Sequence, residues 1–338
     1  MPRQARGRSE DAVHMDVESL PRAPGEVFTS ARARAAGLSA TLLTARDAGE
    51  LVAVRRGVYV AAAGHEELSP VLRHREMALA VAQQRPGVVF AGFTAAVLSG
   101  MPIVGEVPHD VVVLAAGKSG RRRNGVVEIV RRAEPPLLTR DGIAVTPVVD
   151  TLIEVARTRP LLTALTMADA ALWVPRFGTG HPSSTIDRLR DGFDARLPFP
   201  GSRRVSAVLD RTTSCAETPL ETLSRLRIEE LGFPPPDLQV RVDRPHGRGP
   251  AFLDFAWPEH GVWGEADGGG KYLGSGVVDG ARRSPVEVVR DEKERENDVR
   301  SVTKWACGRW DWDEAWNGGV LRGILLRAGV PLVAPPRR

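Results

Sequence analysis

Ala251-Phe-Leu-Asp-Phe-Ala-Trp257, followed across Pro258-Glu-His by Gly261-Val-Trp-Gly-Glu-Ala-Asp267 and then Gly268-Gly-Gly-Lys271, is the stretch on which the fold turns. Both pieces are short runs of aromatic and branched residues bounded by turn-forming residues, which predicts two strands. Side chains alternate along a strand, so Phe252, Asp254 and Ala256 share one face, as do Trp263, Glu265 and Asp267 on the next. If the two strands pair, three carboxylates converge beside a glycine-rich turn that carries a lysine. Clustered acids are costly to bury unless they hold a cation, and hard oxygen donors suit Mg2+ or Mn2+ better than zinc. Against this stands a plainer expectation, in which the acids are ordinary edge and turn residues. Neither the Walker spacing nor GxGxxG occurs here, so a nucleotide loop is not indicated.

The order Asp254, Glu265-Ala-Asp267, Gly268-Gly-Gly-Lys271-Tyr272 and Glu292-Lys-Glu-Arg-Glu296 resembles a restriction-endonuclease-like domain, of the kind found in uncharacterised actinobacterial proteins related to very-short-patch-repair (Vsr) endonucleases. The resemblance covers about the last third of the chain. It implies a PD-(D/E)xK fold, a divalent metal held by Asp254, Glu265 and Asp267, and phosphodiester hydrolysis. Asp267 stands where most of that superfamily carries lysine, so the lysine role passes to Lys271 or Lys293. Asn297 stands where relatives tend to have an acid.

At 338 residues the chain can hold two or three domains. Its 42% hydrophobic and 26% charged residues are those of a globular protein. A net charge of +4 and a pI near 9.5 favour a polyanionic partner. Two distant cysteines, Cys215 and Cys307, form neither a disulfide framework nor a zinc ribbon and fit a reducing compartment. No apolar run has the length of a membrane helix and no hydrophobic signal core opens the chain, so the expectation is a cytoplasmic protein without a membrane partner.

Residues 1–25 read as a loose, flexible tail. Thr29 to Ala36 reads as a helix stopped by Gly37, and Ser39 caps a second helix ending before Gly49. Leu51 to Val54 and Val58 to Val60 flank Arg55-Arg-Gly57 as a hairpin. Two helices and a two-stranded wing make a winged helix-turn-helix over residues 26–64. In that reading Thr41, Thr44 and Arg46 face bases or phosphates of double-stranded DNA, and Arg55 and Arg56 hold its backbone. A small helical pair with a hairpin also serves as a protein-interaction module. Ala36-Gly-Leu-Ser39, Gly49 and Arg56-Gly-Val-Tyr59 resemble the N-terminal domain of AbiEi-type antitoxins of type IV toxin–antitoxin systems. That likeness implies a partner-binding α+β domain over residues 65–175 and, as possible partner, a nucleotidyltransferase toxin.

Within residues 65–175, Asp110 to Leu114 and Val126 to Val130 read as paired strands around the basic loop Lys118-Ser-Gly-Arg-Arg-Arg-Asn-Gly125, either solvated or touching phosphates. Asp150 and Glu154 read as surface charges. Residues 176–213 read as a linker, partly helical around Ser184 to Asp191. The last domain, residues 214–338, begins with Thr218-Pro-Leu-Glu221, a capping box with proline at the first helical position. Glu221 is therefore either a cap or, by the same resemblance, a metal-approaching acid, with Glu217 a weaker candidate. Ser284-Pro-Val-Glu287 opens a second helix. Glu292 and Arg295 fall on its apolar stripe, through either proximity to a polar site or an intrahelical salt-bridge ladder. The tryptophans of Arg309-Trp-Asp-Trp-Asp-Glu-Ala-Trp316 read as packing residues rather than base-stacking platforms.

The expected architecture is a multidomain α/β protein: a winged helix-turn-helix, a central α+β domain and a restriction-endonuclease-like α/β domain. Its expected function is DNA binding with metal-dependent cleavage, Lys271 or Lys293 stabilising the phosphorane. The alternative is an antitoxin-like repressor whose nuclease-type domain binds without cutting.

Overall fold

The computed structural model describes residue 20 and residues 26–131, 137–140, 142–176, 180–245, 248–267 and 285–336, with backbone alone for 285–291. The flexible-tail reading of residues 1–25 and the Gly268–Lys271 turn lie outside this description, Leu20 apart. The described residues form twelve α-helices and three sheets, a mixed α/β architecture. None of these helices is long and apolar enough to cross a membrane. Two compact units emerge, and each interleaves stretches of chain: 1–90, 107–130 and 141–144 in the first, 91–106, 131–140 and 145–338 in the second.

The first unit opens with β1 (Phe28–Thr29), α1 (Ser30–Ala35), α2 (Ser39–Asp47), β2 (Leu51–Arg55) and β3 (Val58–Ala61). Thr29 caps α1 by accepting from the Arg32 N–H. Gly37 and Gly49, both at positive φ, end the two helices as expected. The sheet order is β1-β3-β2, all antiparallel, and Phe28, Ala33, Leu38, Leu42, Ala45 and Leu51 fill the core beneath it. After α3 (Pro70–Gln84) comes β4 (Val89–Phe90), which pairs with β5 (Val111–Leu114). Next to β5, and parallel to it, runs β7 (Val126–Ile129), whose antiparallel partner is β6 (Arg122–Arg123). Asn124 and Gly125 join β6 to β7 at φ 52° and 71°, the geometry for which Asn-Gly is suited in a tight hairpin.

Short strands β8 (Leu138–Arg140) and β9 (Ile143–Val145) follow. In the second unit α4 (Gly92–Leu98), α5 (Val148–Thr158), α6 (Leu161–Leu172), α7 (Ile186–Asp194) and α8 (Ser202–Leu209) make a helical layer. Two expectations are corrected here. Residues 176–213 are not a linker: Leu189 of α7 and Val205, Val208 and Leu209 of α8 are buried. The spacing of these four apolar residues was outvoted by the glycine, proline and charge around them. Asp150 and Glu154 are buried rather than surface charges. Asp150 pairs with Arg131 and Arg196, and Glu154 with Arg157 at 3.0 Å.

The C-terminal part runs α9 (Pro219–Glu230), β10 (Asp237–Asp243), β11 (Pro250–Trp257), β12 (Val262–Ala266), α10 (Pro285–Thr303), β13 (Ala306–Trp310), α11 (Trp312–Trp316) and α12 (Gly318–Ala328). Its sheet has the order β10-β11-β12-β13. The first two pairings are antiparallel and the last, reached through α10, is parallel. Leu220, Leu223, Phe255, Trp257, Val262, Trp310, Leu321 and Leu325 pack together, so α9 and α12 share a core with this sheet. Ala256, Trp263 and Val299 belong to a separate cluster, which places α10 against it. Trp310 is core as expected, whereas Trp316 is 48% exposed and stacks on Trp312.

If α7 and α8 are integral parts of the second unit, Leu189→Ala will cost about 2–5 kcal/mol of stability, read as a lower urea midpoint for the full chain. An unchanged midpoint would return residues 186–209 to the status of a linker.

Candidate functional site

β11 and β12 set the geometry. Phe255 pairs with Gly264 and Ala256 with Trp263, so one step further along the ladder Asp254 stands across from Glu265. Cross-strand partners project from the same face, here the face of Ala256 and Trp263. Asp254 Oδ2 accepts a hydrogen bond of 3.0 Å from the Ala266 N–H. Burial, the neighbouring Glu221 and Glu265 charges, and only partial relief from that N–H and from Arg295 push the Asp254 carboxyl up to about 7.

Glu265 is 5% exposed, and two guanidinium groups hold it. Arg295 of α10 donates to Oε1 and Arg309 of β13 donates to Oε2 at 2.9 Å. Arg309 also pairs with Glu292 at 3.0 Å and Glu296 at 3.3 Å, while the exposed Arg300 reaches Glu296 at 2.8 Å. The polar face of α10 thus combines an intrahelical pair, Arg300 with Glu296, with ion pairs that reach β12 and β13. Burial pushes the Glu265 carboxyl up, and the two arginines work against that shift.

Glu221 approaches from the first turn of α9 as both cap and neighbour of Asp254. The Thr218 hydroxyl donates to its Oε1 at 3.0 Å, and the Glu217 N–H donates to its Oε2 at 3.0 Å. Gln239 Nε2 donates to the same Oε2 at 3.0 Å, and burial raises this carboxyl's pKa. Gln239 eluded sequence reasoning. The flanking pairs Leu238–Phe255 and Val240–Leu253 put it opposite Asp254, at a strained φ of 53° that side chains other than glycine seldom adopt. Its Oε1 accepts from Arg176 at 2.6 Å; Arg176 also pairs with Glu217 at 2.9 Å and lies 3.5 Å over the Phe252 ring. A polar residue inside an alternating strand was the available signal.

Of the other expected site residues, Asp267 is exposed just past the end of β12, donating its N–H to Trp310 O. Its carboxylate does not join Asp254 and Glu265 as the alternation had predicted, because the strand ends at Ala266. Lys293 is exposed while its neighbours Glu292 and Arg295 make the inward contacts. Lys271 lies outside the described residues. No group of three or more His, Cys, Asp or Glu among the described residues is disposed to hold a metal. The donor chemistry nonetheless fits a hard cation. Glu221, Asp254, Glu265, Glu292 and Glu296 outnumber Arg295, Arg309 and Arg300, and Asp254 has a single N–H to share its charge.

In the first unit, Thr44 and Arg46 lie on the exposed face of α2 with Ser39, Ala40 and Leu43, whereas Thr41 is half-buried. Arg46 pairs with Asp47 at 2.7 Å, an exposed contact worth little. Arg56 is exposed at the wing turn. Arg55 is not available as a phosphate clamp, because its side chain turns inward. Nε donates to Gln84 Oε1 at 2.9 Å and Nη1 to Asn124 O at 3.0 Å, and burial lowers its pKa.

No family model matches the chain, and no curated protein is significantly similar to it.

Two outcomes follow from this geometry. A carboxyl whose folded pKa is raised favours the protonated folded state. Asp254 therefore contributes stability at acid pH that is lost as pH climbs from about 4 through about 7, on the order of 4 kcal/mol in all. Asp254→Asn should flatten that decline, leaving the variant more stable than wild type at pH 8; urea midpoints measured across pH check it. Arg55→Ala should lower the stability of the first unit by about 1–3 kcal/mol through loss of buried hydrogen bonds, visible as an earlier melting transition.

Proposed function

We propose that the chain is a DNA-binding protein whose C-terminal domain is of the restriction-endonuclease-like kind and hydrolyses DNA phosphodiester bonds with a divalent metal. The observation that carries this reading is the element order α9-β10-β11-β12-α10-β13. Its antiparallel, antiparallel, parallel sheet sets Asp254 across from Glu265. This arrangement is the one the sequence resemblance implies. The head formed by α1, α2 and the β2–β3 hairpin supports a winged helix-turn-helix in the same way.

In this reading Asp254 and Glu265 would hold Mg2+ or Mn2+, with Glu221 beside them. A metal so held lowers the pKa of a bound water and offsets charge on the phosphate. The protein's own residues do the rest. Asp254 must lose its proton to serve as a ligand, so binding strengthens as pH rises through about 7. Gln239 fixes Glu221 and leaves its carboxylate oriented towards the strand pair. Arg295 and Arg309 both face Glu265, and Arg295, carried by α10, takes the role expected of a lysine, stabilising negative charge on the phosphoryl oxygens.

A second reading keeps the DNA binding and drops the cleavage: an antitoxin-like transcriptional repressor that pairs with a toxin. The observation that favours it is the pairing of both Glu265 oxygens with Arg295 and Arg309, which already neutralises that carboxylate without a metal.

Plasmid nicking in the presence of Mg2+ separates the two. Cleavage by wild type that falls at least about 100-fold in Asp254→Ala, and rises from pH 6 to pH 8, supports hydrolysis at this site. Equal cutting by both proteins removes the site. No cutting by either, together with duplex binding that survives Asp254→Ala and weakens about fivefold in Arg56→Ala, supports the repressor.

A further inference from the structure

The first unit brings together two tight turns that are far apart in sequence. One is the wing turn at Arg56-Gly57, with Gly57 at φ 72°, and the other is Asn124-Gly125 between β6 and β7. Arg55 links them. Its Nη1 donates to Asn124 O, and that nitrogen lies 3.7 Å from where a Cβ on Gly125 would stand. Gln84 of α3 secures the same place from the helix side. Its Oε1 accepts from Arg55, and its Nε2 donates to Arg56 O at 2.8 Å. The wing and the second hairpin are therefore held as one rigid edge, with their tips side by side.

That edge is cationic. Lys118, Arg121, Arg122 and Arg123 are all exposed, as is Arg56. Two of them are braced at the base: Arg121 on Glu128 at 3.0 Å and Arg122 on Asp110 at 2.5 Å. Among the described residues Arg123, next to Asn124, and Arg56 enter no ion pair, so two uncompensated charges remain at the paired turns. Charged side chains on a preorganised edge bind a polyanion without an ordering cost that a loose basic loop would incur.

We infer that the DNA-contacting surface extends from the wing onto the β6–β7 hairpin, where Arg123 holds a duplex phosphate alongside Arg56. The inference rests on the DNA-binding reading above. It gives Arg55 the role of a positioning residue, joining the two turns rather than touching the duplex. Contacts of this kind carry affinity and salt dependence but no sequence preference.

Fluorescence anisotropy with the full chain and a labelled mixed-sequence DNA duplex, over a KCl series, tests it. Each lost phosphate contact lowers affinity about fivefold near about 0.15 M salt, from a slope of about 0.9 per phosphate. Arg123→Ala should therefore bind about fivefold more weakly, with a log–log salt slope smaller by about 1. Arg56→Ala should lose about 1 unit of slope, and Arg190→Ala on α7 should lose none. Unchanged melting of the variants excludes misfolding. Arg123→Ala with the wild-type slope, while Arg56→Ala is impaired, overturns the inference and leaves the DNA reading standing. Equal loss in Arg190→Ala also overturns it, since the contact would then be diffuse charge. Equal affinity of wild type for a double-stranded RNA of the same sequence overturns the assignment to DNA. Wild type without salt-dependent duplex binding sinks the DNA reading itself.

Discussion

A carboxyl group set in the middle of an apolar strand must find either a proton or a counter-charge, and Asp254 is that group here. Leu253 and Phe255 on either side are fully buried on the opposite face, and Asp254 itself is half-buried. One backbone N–H, from Ala266, is a partial remedy, and the carboxyl keeps its proton up to about neutral pH. Everything around it bears on the same problem. Gln239 accepts an unfavourable backbone conformation to keep Glu221 hydrogen-bonded nearby, and Arg295 is drawn in from α10. Strain and buried charge concentrated at one point of a domain are costs that function commonly explains.

In the first unit a different choice is made with an arginine. Arg55 and Arg56 are adjacent and both basic, and nothing in their sequence separates them. Strand alternation does: Arg56 occupies the turn and meets solvent, while Arg55 closes β2 and points at α3 and the second hairpin. A guanidinium spent on Gln84 and Asn124 cannot also bind phosphate, yet it fixes the surface on which its neighbour is presented.

Much of this was legible in the residues. The β11 and β12 strands, the capped starts of α9 and α10, the first unit's helix pair and hairpin, and the pairing of Asp254 with Glu265 all follow from alternation, capping and turn residues, whereas β13 does not, because Ala306 continues the apolar spacing of α10. What was not legible has specific causes. Asp267 obeys the alternation of its strand on paper, but β12 ends at Ala266, and strand ends are where periodic arguments fail. Lys293 was weighed by its charge, although the helical stripe already pointed to Glu292 and Arg295 as the inward residues. The helices at 186–209 were masked by composition: glycines, prolines and charges surround a few apolar residues that nonetheless reach the core. Asp150 and Glu154 looked like surface charges because i,i+4 spacing says nothing about which face of a helix is covered. The inward turn of Arg55 and the place of Gln239 depend on partners about 70 and 15 residues distant, Asn124 and Asp254, which no local pattern encodes.

The two arginines on Glu265 bear most directly on what this site can be. A guanidinium pair and a divalent metal are alternative answers to the same excess of negative charge, and one carboxylate cannot give both oxygens to each. With five acids against Arg295, Arg309 and the solvent-facing Arg300, the ion pairs do not exhaust the charge, and this adds to burial, the main cause, in holding the proton on Asp254 up to about 7. A cation bound at Asp254 would displace that proton first. Arg295 would be freed from Glu265 only if the metal drew the same carboxylate away from it. In the metal-dependent reading, metal occupancy would be coupled to the position of a guanidinium, and an arginine that neutralises an acid without the metal would become available to a phosphate with it.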